Sequence, residues 1–194
     1  MTATERQRRK AVFLDRDGVI NLDRHFVHRI DDFEFVPGTP QALLSLQQAG
    51  WLLVVVTNQS GIARGLYTES TYQQLTLHMR QSLRSAGVEL AAVMHCPHLP
   101  DAEVAAYRLD CECRKPGPGM LQAAAAQWAI DLAASVMVGD RHSDIQAGRA
   151  AGVGRCILVQ SGHLADHAAQ ADADGVFRNL AHWVDSLNLE SSAG

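Results

Sequence analysis

The chain has 194 residues, of which 47 % are hydrophobic and 20 % charged, and its formal net charge is −4. The length favours one domain, and the composition favours a packed core over a disordered chain. The slight acidic excess argues against a general nucleic-acid binder, because no basic field surrounds the chain. No apolar run approaches the roughly 20 residues of a membrane-spanning helix, and no signal peptide is evident. We therefore expect a cytoplasmic protein with a flexible basic leader over residues 1–10 and a single domain over residues 11–190.

Short apolar runs alternate with longer amphipathic segments along the chain. Such runs are typical of strands that are buried on both faces of a parallel sheet. The predicted strands are 11–15, 51–57, 91–95, 135–140 and 155–159, with a shorter one at 175–177. The pattern predicts an α/β fold built as a doubly wound parallel sheet.

The helices are predicted between these strands. The first spans residues 40–49, with Thr39 as its N-cap, Pro40 in its first turn and Gly50 just past its end. Further helices are predicted to begin at residue 68, to follow residue 118, and to span 143–151 and 180–187. Residues 96–119 show no periodicity, and a loop of this length in a compact domain usually carries function or a local crosslink.

Polar side chains follow the strands at the edge of the sheet where ligands bind in such folds. Asp15 and Asp17 come after the first strand, and Thr57 ends the second. Lys115 and Asp140 follow later. This set suits phosphoryl transfer, which depends on positioning and electrostatic stabilisation. Asp15 is the candidate nucleophile and Asp17 the candidate general acid and base, while Thr57 and Lys115 hold phosphoryl oxygens; Asp15 and Asp140, with a backbone carbonyl, suffice to hold Mg²⁺.

Each of these signals is weak when it is taken alone. Aspartates are common in surface turns, and Asp140 with Asp144 could equally cap the helix that begins near Ser143. Lys115 could be an exposed loop lysine. The order of the motifs, each after a predicted strand, favours the catalytic interpretation.

Three cysteines and a histidine are close together in the segment without periodicity. Cys96 and His98 precede Cys111 and Cys113 by twelve intervening residues. Three thiolates and an imidazole complete a tetrahedral zinc site, and four protein ligands leave no position for water. We therefore expect a structural Zn²⁺. His95 could replace His98 as a ligand, although the spacing favours His98.

The motifs DRDG, TNQSG, RKP and GDRHSD, in this order, resemble the four motifs of the haloacid dehalogenase superfamily of phosphatases. Over about residues 11–160 the chain is similar to one branch, the D-glycero-D-manno-heptose 1,7-bisphosphate 7-phosphatases. The resemblance implies removal of the C7 phosphate from this small-molecule substrate through an aspartyl-phosphate, in the supply of nucleotide-activated heptose. We also expect a zinc loop over residues 96–113, no separate cap domain and a monomer.

The resemblance also implies roles for individual residues. Asp15, Asp140 and the main-chain carbonyl of Asp17 are implied to hold Mg²⁺. The implied substrate contacts are Asp23, Arg24, His25, Phe26, Asn58, Gln59, Ser60, Arg114 and Arg141. Arg114 is implied to bind the second phosphate, for which a guanidinium fork is well shaped.

Three alternatives remain open. The first is a phosphatase of histidinol phosphate or of another small phosphomonoester, since histidinol-phosphate phosphatase activity occurs in a related branch that has a similar zinc loop. A phospho-accepting receiver domain shares the sheet type, but there the acidic pair and the phosphorylated aspartate lie on different strands, whereas Asp15 and Asp17 follow the same one. A zinc-scaffolded binding protein without activity would require the catalytic set to be vestigial.

Overall fold

The structure, a computed structural model, describes residues 8–162 and 167–189. The predicted leader therefore lies mostly outside the described residues, as does residue 190 at the end of the predicted domain. Within them, six strands form one parallel sheet in the order β3-β2-β1-β4-β5-β6. The strands are β1 (Ala11–Leu14), β2 (Leu52–Asn58), β3 (Ala92–Cys96), β4 (Val136–Gly139), β5 (Arg155–Val159) and β6 (Gly175–Phe177).

The helices are α1 (Thr39–Gln48), α2 (Ser60–Ala63), α3 (Glu69–Ser85), α4 (Gly119–Trp128), α5 (His142–Ala151), α6 (His167–Asp172) and α7 (Leu180–Ser186). Helices α2 and α6 were not predicted, because four to six residues are too short to show a helical period. The prediction of Thr39 as an N-cap is wrong. Gly38 occupies that position with a φ of 84°, and the Thr39 hydroxyl instead donates to the Val19 carbonyl at 3.4 Å. Across the described ranges, no helix is long and apolar enough to cross a membrane.

Helices cover both faces of the sheet. Alternate side chains of each strand point to opposite faces, so that Val12 and Leu14 pack with α1, α3 and α7. Ala11 and Phe13 face the other way and pack with α4, α5 and α6. All four side chains are fully buried, which explains why the strand appears in the sequence as a continuous apolar run. The prediction of a doubly wound parallel sheet is confirmed.

The direction of winding reverses between β1 and β4. The chain runs outward from β1 through β2 to β3, and then returns to place β4 on the other side of β1. Beyond β1 the pairing continues, because the Asp15 amide donates to the Val138 carbonyl at 3.0 Å. A crevice opens at the carboxyl ends of strands at such a reversal.

The predicted loop after β3 docks onto α2. It contains one short 3₁₀ turn, Ala105–Tyr107, and the Val104 amide donates to the Ala63 carbonyl at 3.0 Å. Leu99 and Ala102 are buried against Ala63. These contacts fix the loop beside the crevice.

Candidate active site

Three carboxylates meet at the carboxyl ends of β1 and β4. Asp15 follows β1, Asp140 follows β4 and Asp144 lies in the first turn of α5. One oxygen of each lies within 4.8 Å of the others. All three residues are buried, and within the described ranges neither oxygen of Asp140 has a hydrogen-bond partner. Buried carboxylate oxygens without donors fit a hard divalent cation such as Mg²⁺.

The backbone closes tightly around this cluster. A Cβ added to Gly18 would collide with the carboxylate of Asp140, and so would one added to Gly162. Gly18 also has a φ of 84°, a conformation that glycine adopts at least cost. The cluster therefore depends on glycine at two turns that are distant in sequence.

Lys115 lies between two of the carboxylates. Its Nζ is 2.9 Å from Asp15 Oδ1 and 2.6 Å from Asp144 Oδ1, and it donates to the Val56 carbonyl at 2.8 Å. Burial opposes the charged form, but Asp144 and Asp15 outweigh it and raise the pKa of Lys115 above its usual range. The lysine is therefore a fixed positive charge next to Asp15.

Asp144 has two functions that the sequence could not separate. Its Oδ2 accepts from the Arg141 amide at 3.0 Å, which caps α5, and its Oδ1 holds Lys115. The capping interpretation of Asp144 and a place in the carboxylate cluster are thus both correct.

The single positive charge of Lys115 does not offset the effect of burial on the pKa values of Asp15 and Asp140. Burial raises the pKa of Asp15 to about 6, although Lys115 opposes the shift. Burial, reinforced by the charges of Asp15 and Asp144, raises the pKa of Asp140 to about 9. A divalent cation held by these oxygens would favour the ionised form of both groups.

The carboxylate of Asp17 lies outside this cluster and is held by other side chains. Arg16 Nη2 donates to Oδ2 at 2.8 Å, Asn21 Nδ2 donates to Oδ1 at 3.0 Å, and Gln59 Nε2 donates to Oδ2 at 3.1 Å. Arg16 is only 1 % exposed and also donates to the Val27 carbonyl at 2.7 Å. The Asp17 side chain itself remains 22 % exposed, so it is fixed in place at the wall of the crevice.

The end of β2 holds both a hydroxyl and the segment that carries Lys115. The Thr57 hydroxyl is buried and accepts from Gln59 Nε2 at 2.9 Å. Asn58 Nδ2 donates to the Lys115 carbonyl and Asn58 Oδ1 accepts from the Lys115 amide, each at 3.0 Å. The Asn58 side-chain amide thus forms two hydrogen bonds with the backbone N–H and C=O of Lys115, as the backbone of a neighbouring β-strand would.

The cysteines and the histidine converge as expected. Sγ–Sγ distances are 3.5 Å for Cys96–Cys111, 3.0 Å for Cys111–Cys113 and 3.2 Å for Cys96–Cys113, while His98 Nδ1 lies 3.4 Å from Cys113 Sγ. None of the three cysteines forms a disulfide. Tetrahedral Zn–S bonds of about 2.3 Å would set the sulfurs roughly 3.8 Å apart, which is slightly farther than they lie here. Three free thiols and an imidazole in one cluster are nevertheless a donor set that fits Zn²⁺. His95 lies outside it, with Nε2 2.6 Å from Glu69 Oε1.

A cavity of about 520 Å³ is lined by the candidate catalytic residues Asp15, Asp17, Thr57 and Lys115. Of the residues implied to contact substrate, eight line it: Asp23, His25, Phe26, Asn58, Gln59, Ser60, Arg114 and Arg141. Arg24 is not brought to the cavity, because its guanidinium pairs with Glu34. His25 and Phe26 have left-handed φ angles of 60° and 55°, and such strain in non-glycine residues often marks binding sites.

Sequence reasoning missed several residues of the site. Arg16 stands between two aspartates, where an arginine would ordinarily be exposed, and nothing in the sequence indicates its burial. Arg64 and Tyr67 line the cavity from the end of α2 and the turn after it. The motif TNQSG continues as IARGLY, and an arginine and a tyrosine so close to a catalytic motif are the signal that could have found both.

Comparison with known proteins places this site in a family. A family model described as "HAD-hyrolase-like" matches residues 112–183. The D-glycero-beta-D-manno-heptose-1,7-bisphosphate 7-phosphatase of Escherichia coli (strain K12) is 49 % identical over 180 residues, which is 93 % of this chain and 94 % of that protein. A D-glycero-alpha-D-manno-heptose-1,7-bisphosphate 7-phosphatase of Photorhabdus laumondii is 46 % identical over 79 % of this chain and 84 % of its own length.

A solved structure supports the same assignment. The D,D-heptose 1,7-bisphosphate phosphatase from B. bronchiseptica, complexed with magnesium and phosphate, matches with a TM-score of 0.79 and 36 % identity. The match covers 94 % of this chain and 99 % of that one. The chain belongs to the D-glycero-D-manno-heptose 1,7-bisphosphate 7-phosphatase family of haloacid dehalogenase-like hydrolases.

Proposed function

We propose that this chain removes the C7 phosphate of D-glycero-D-manno-heptose 1,7-bisphosphate, in the supply of nucleotide-activated heptose. The observation that carries the chemistry is the buried group in which Lys115 Nζ lies 2.9 Å from Asp15 Oδ1, beside the oxygens of Asp140 and Asp144. The names of its relatives supply the substrate.

In the first half of the reaction, an oxygen of Asp15 attacks the phosphorus. The bond between phosphorus and the C7 oxygen breaks, and Asp17 gives its proton to the leaving alkoxide. The Thr57 hydroxyl and the Lys115 ammonium hold the phosphoryl oxygens as charge develops on them. Asp15 is left as an aspartyl-phosphate.

In the second half, water attacks the phosphorus of the aspartyl-phosphate. Asp17, now ionised, takes the proton of this water, and the bond between phosphorus and the Asp15 oxygen breaks. Phosphate leaves and both carboxyl groups return to their starting states. Because Asp17 is held by Arg16, Asn21 and Gln59, it serves both half-reactions from one place.

Two metal sites fit the residues present. Asp15, Asp140 and the main-chain carbonyl of Asp17 would hold Mg²⁺, which when bound offsets negative charge on the phosphoryl oxygens. Cys96, His98, Cys111 and Cys113 would hold a structural Zn²⁺. Because Cys113 directly precedes Arg114 and Lys115, the zinc loop over residues 96–113 would set the position of both basic side chains.

The substrate would lie in the open cavity with its second phosphate on Arg114. The guanidinium of Arg114 is held by a hydrogen bond from Nη1 to the His98 carbonyl at 3.3 Å, so the zinc loop presents it to the cavity. Arg141 also lines the cavity, and its Nη2 lies 3.2 Å from Asp23 Oδ2. Because residues 8–162 and 167–189 form no separate cap domain over the cavity, binding of the second phosphate helps hold the reacting one in place.

The proposal extends to the whole chain. We propose that the chain acts as a monomer on a small-molecule substrate. Cysteines free of disulfides suit a reducing compartment such as the cytoplasm. We propose that residues 11–190 form one phosphatase domain. Arg9, which was predicted to belong to a flexible leader, is instead bonded to this domain, because its amide donates to the Ala129 carbonyl at 3.0 Å and its carbonyl accepts from the Asp131 amide at 2.9 Å.

The test is Mg²⁺-dependent phosphate release from the α and β anomers of the bisphosphate and from histidinol phosphate. Asp15→Asn should abolish release from every substrate, whereas Asp185→Asn, an exposed change on α7, should leave it intact. A preference for either bisphosphate supports the proposal and identifies the anomer. A preference for histidinol phosphate would overturn the substrate, and full activity in Asp15→Asn would overturn the mechanism.

A further inference from the structure

We infer that Tyr67 is a positioning residue for the hydrolysis: its hydroxyl orients the Gln59 amide, and this one amide aligns Asp17 with Thr57. The inference rests on the proposed function, because it concerns the groups that function uses. It also changes the expected function of Gln59, from contacting substrate to holding two groups that do.

One hydrogen bond joins Tyr67 to the Gln59 side-chain amide, and two more join this amide to Thr57 and Asp17. Tyr67 Oη donates to Gln59 Oε1 at 2.6 Å. Gln59 Nε2 donates to Thr57 Oγ1 at 2.9 Å and to Asp17 Oδ2 at 3.1 Å. A glutamine amide has two N–H donors and one carbonyl oxygen, so every polar atom of the Gln59 side chain is used within the protein.

The orientation of the amide follows from its partners. Gln59 is only 2 % exposed, so water has little access to its amide. Burial raises the pKa of Tyr67 to about 12, which keeps its hydroxyl protonated and able to donate. A reversed amide would place its carbonyl oxygen against the carboxylate of Asp17. The tyrosine proton therefore favours the one arrangement in which both Asp17 and Thr57 receive an N–H.

The two aligned groups come from different parts of the fold. Thr57 belongs to β2 and Asp17 follows β1. In the proposed reaction Thr57 holds a phosphoryl oxygen and Asp17 moves the proton. Both act on the same phosphoryl group, so the distance between these two side chains must match the geometry of that group. Gln59 bridges them with two bonds from one nitrogen.

The sequence leaves room for this tyrosine. A Cβ on Gly61 would collide with the Tyr67 ring, so glycine at this position allows the ring to approach. On its other side, the ring of His28 stacks on Tyr67 with centroids 5.0 Å apart and planes inclined by 7°. Tyr67 is thereby held between α2 and the loop that carries His25 and Phe26.

Tyr67→Phe tests the inference, since it keeps the ring and removes only the hydroxyl. We expect kcat for the bisphosphate to fall roughly three- to tenfold, as for the loss of one hydrogen bond, with KM changed less than about twofold. The loss should be smaller for p-nitrophenyl phosphate, whose leaving group needs no proton from Asp17. Tyr72→Phe is the matched control, because the buried Tyr72 hydroxyl forms no hydrogen bond with any of these groups, and the kcat of this variant should stay at the wild-type value.

A double-mutant cycle shows whether Tyr67 acts through Gln59. In a Gln59→Ala background, adding Tyr67→Phe should change kcat less than about twofold. An equal loss in both backgrounds, an increase in KM instead of a loss of kcat, or unchanged kcat in Tyr67→Phe would each overturn the inference while the proposed function stands. If the wild-type chain releases no phosphate from any substrate, the proposed function fails first.

Discussion

Replacing Asp144 by Asn tests how the buried lysine is held. Asparagine can still accept a hydrogen bond from the Arg141 amide, so the cap of α5 is retained. Lys115, however, loses one of its two negatively charged partners. Loss of one partner from a buried ion pair typically costs about 3–5 kcal/mol. Lys115 keeps Asp15 at 2.9 Å and the Val56 carbonyl at 2.8 Å, so we expect the lower part of this range, about 3 kcal/mol.

Urea denaturation measures the free energy of unfolding directly, and thermal denaturation gives an independent measure. For a domain of this size, about 3 kcal/mol corresponds to a decrease in Tm of roughly 6–12 °C. Asp185→Asn removes the same charge from the exposed surface of α7 and should change the unfolding free energy by less than about 0.5 kcal/mol. Equal unfolding free energies for the two variants would refute the reasoning, because Asp144 would then contribute nothing through Lys115.

Three further changes probe other parts of the molecule. Cys111→Ser should lower zinc content and kcat together, since the zinc loop leads directly into Lys115; atomic absorption with phosphate release checks this, and full activity without zinc would contradict it. Gly61→Ala should lower the unfolding free energy by about 1–3 kcal/mol in urea, because the added methyl collides with Tyr67. The hydrogen bond and charge of Arg149 lower the pKa of Asp174 in the folded state. Asp174 therefore stabilises the fold at pH values above its unfolded-state pKa, and this stabilisation is lost as the pH falls through its folded-state pKa. Thermal denaturation should therefore show a lower Tm for Asp174→Asn near neutral pH, and a smaller difference from the wild-type Tm as the pH falls below the unfolded-state pKa.

The sheet could be predicted from sequence because its strands are buried on both faces. Each predicted strand lies within two residues of the observed one, since a run such as AVFL has few other stable environments. The N-cap of α1 was predicted wrongly because Gly38 and Thr39 both suit a helix start, and only the contact with Val19 decides between them. Helix α2 could not be predicted, because it is held by the loop that docks on it.

The position of the candidate catalytic residues was predictable because they follow strands that end at one edge of the sheet. Asp15, Thr57 and Asp140 each follow or end an apolar run, and the structure brings them together. The residues that hold them were not predictable in the same way. Arg16 is buried only because Val27 and Asp17 lie around it in the fold, and the sequence does not show which charges will face each other. The direction in which the Arg24 side chain points is likewise a property of the folded loop.

The hydrogen bonds between Asn58 and Lys115 hold the backbone N–H and C=O of the lysine and not its side chain. The backbone at this position is therefore placed independently of the residue that it carries. Shortening the side chain to alanine would open a space between two carboxylates without displacing the chain. Such a space matches a small alkylammonium ion in size and charge. An alkylammonium ion added to a Lys115→Ala variant could therefore take the place of the missing lysine ammonium group.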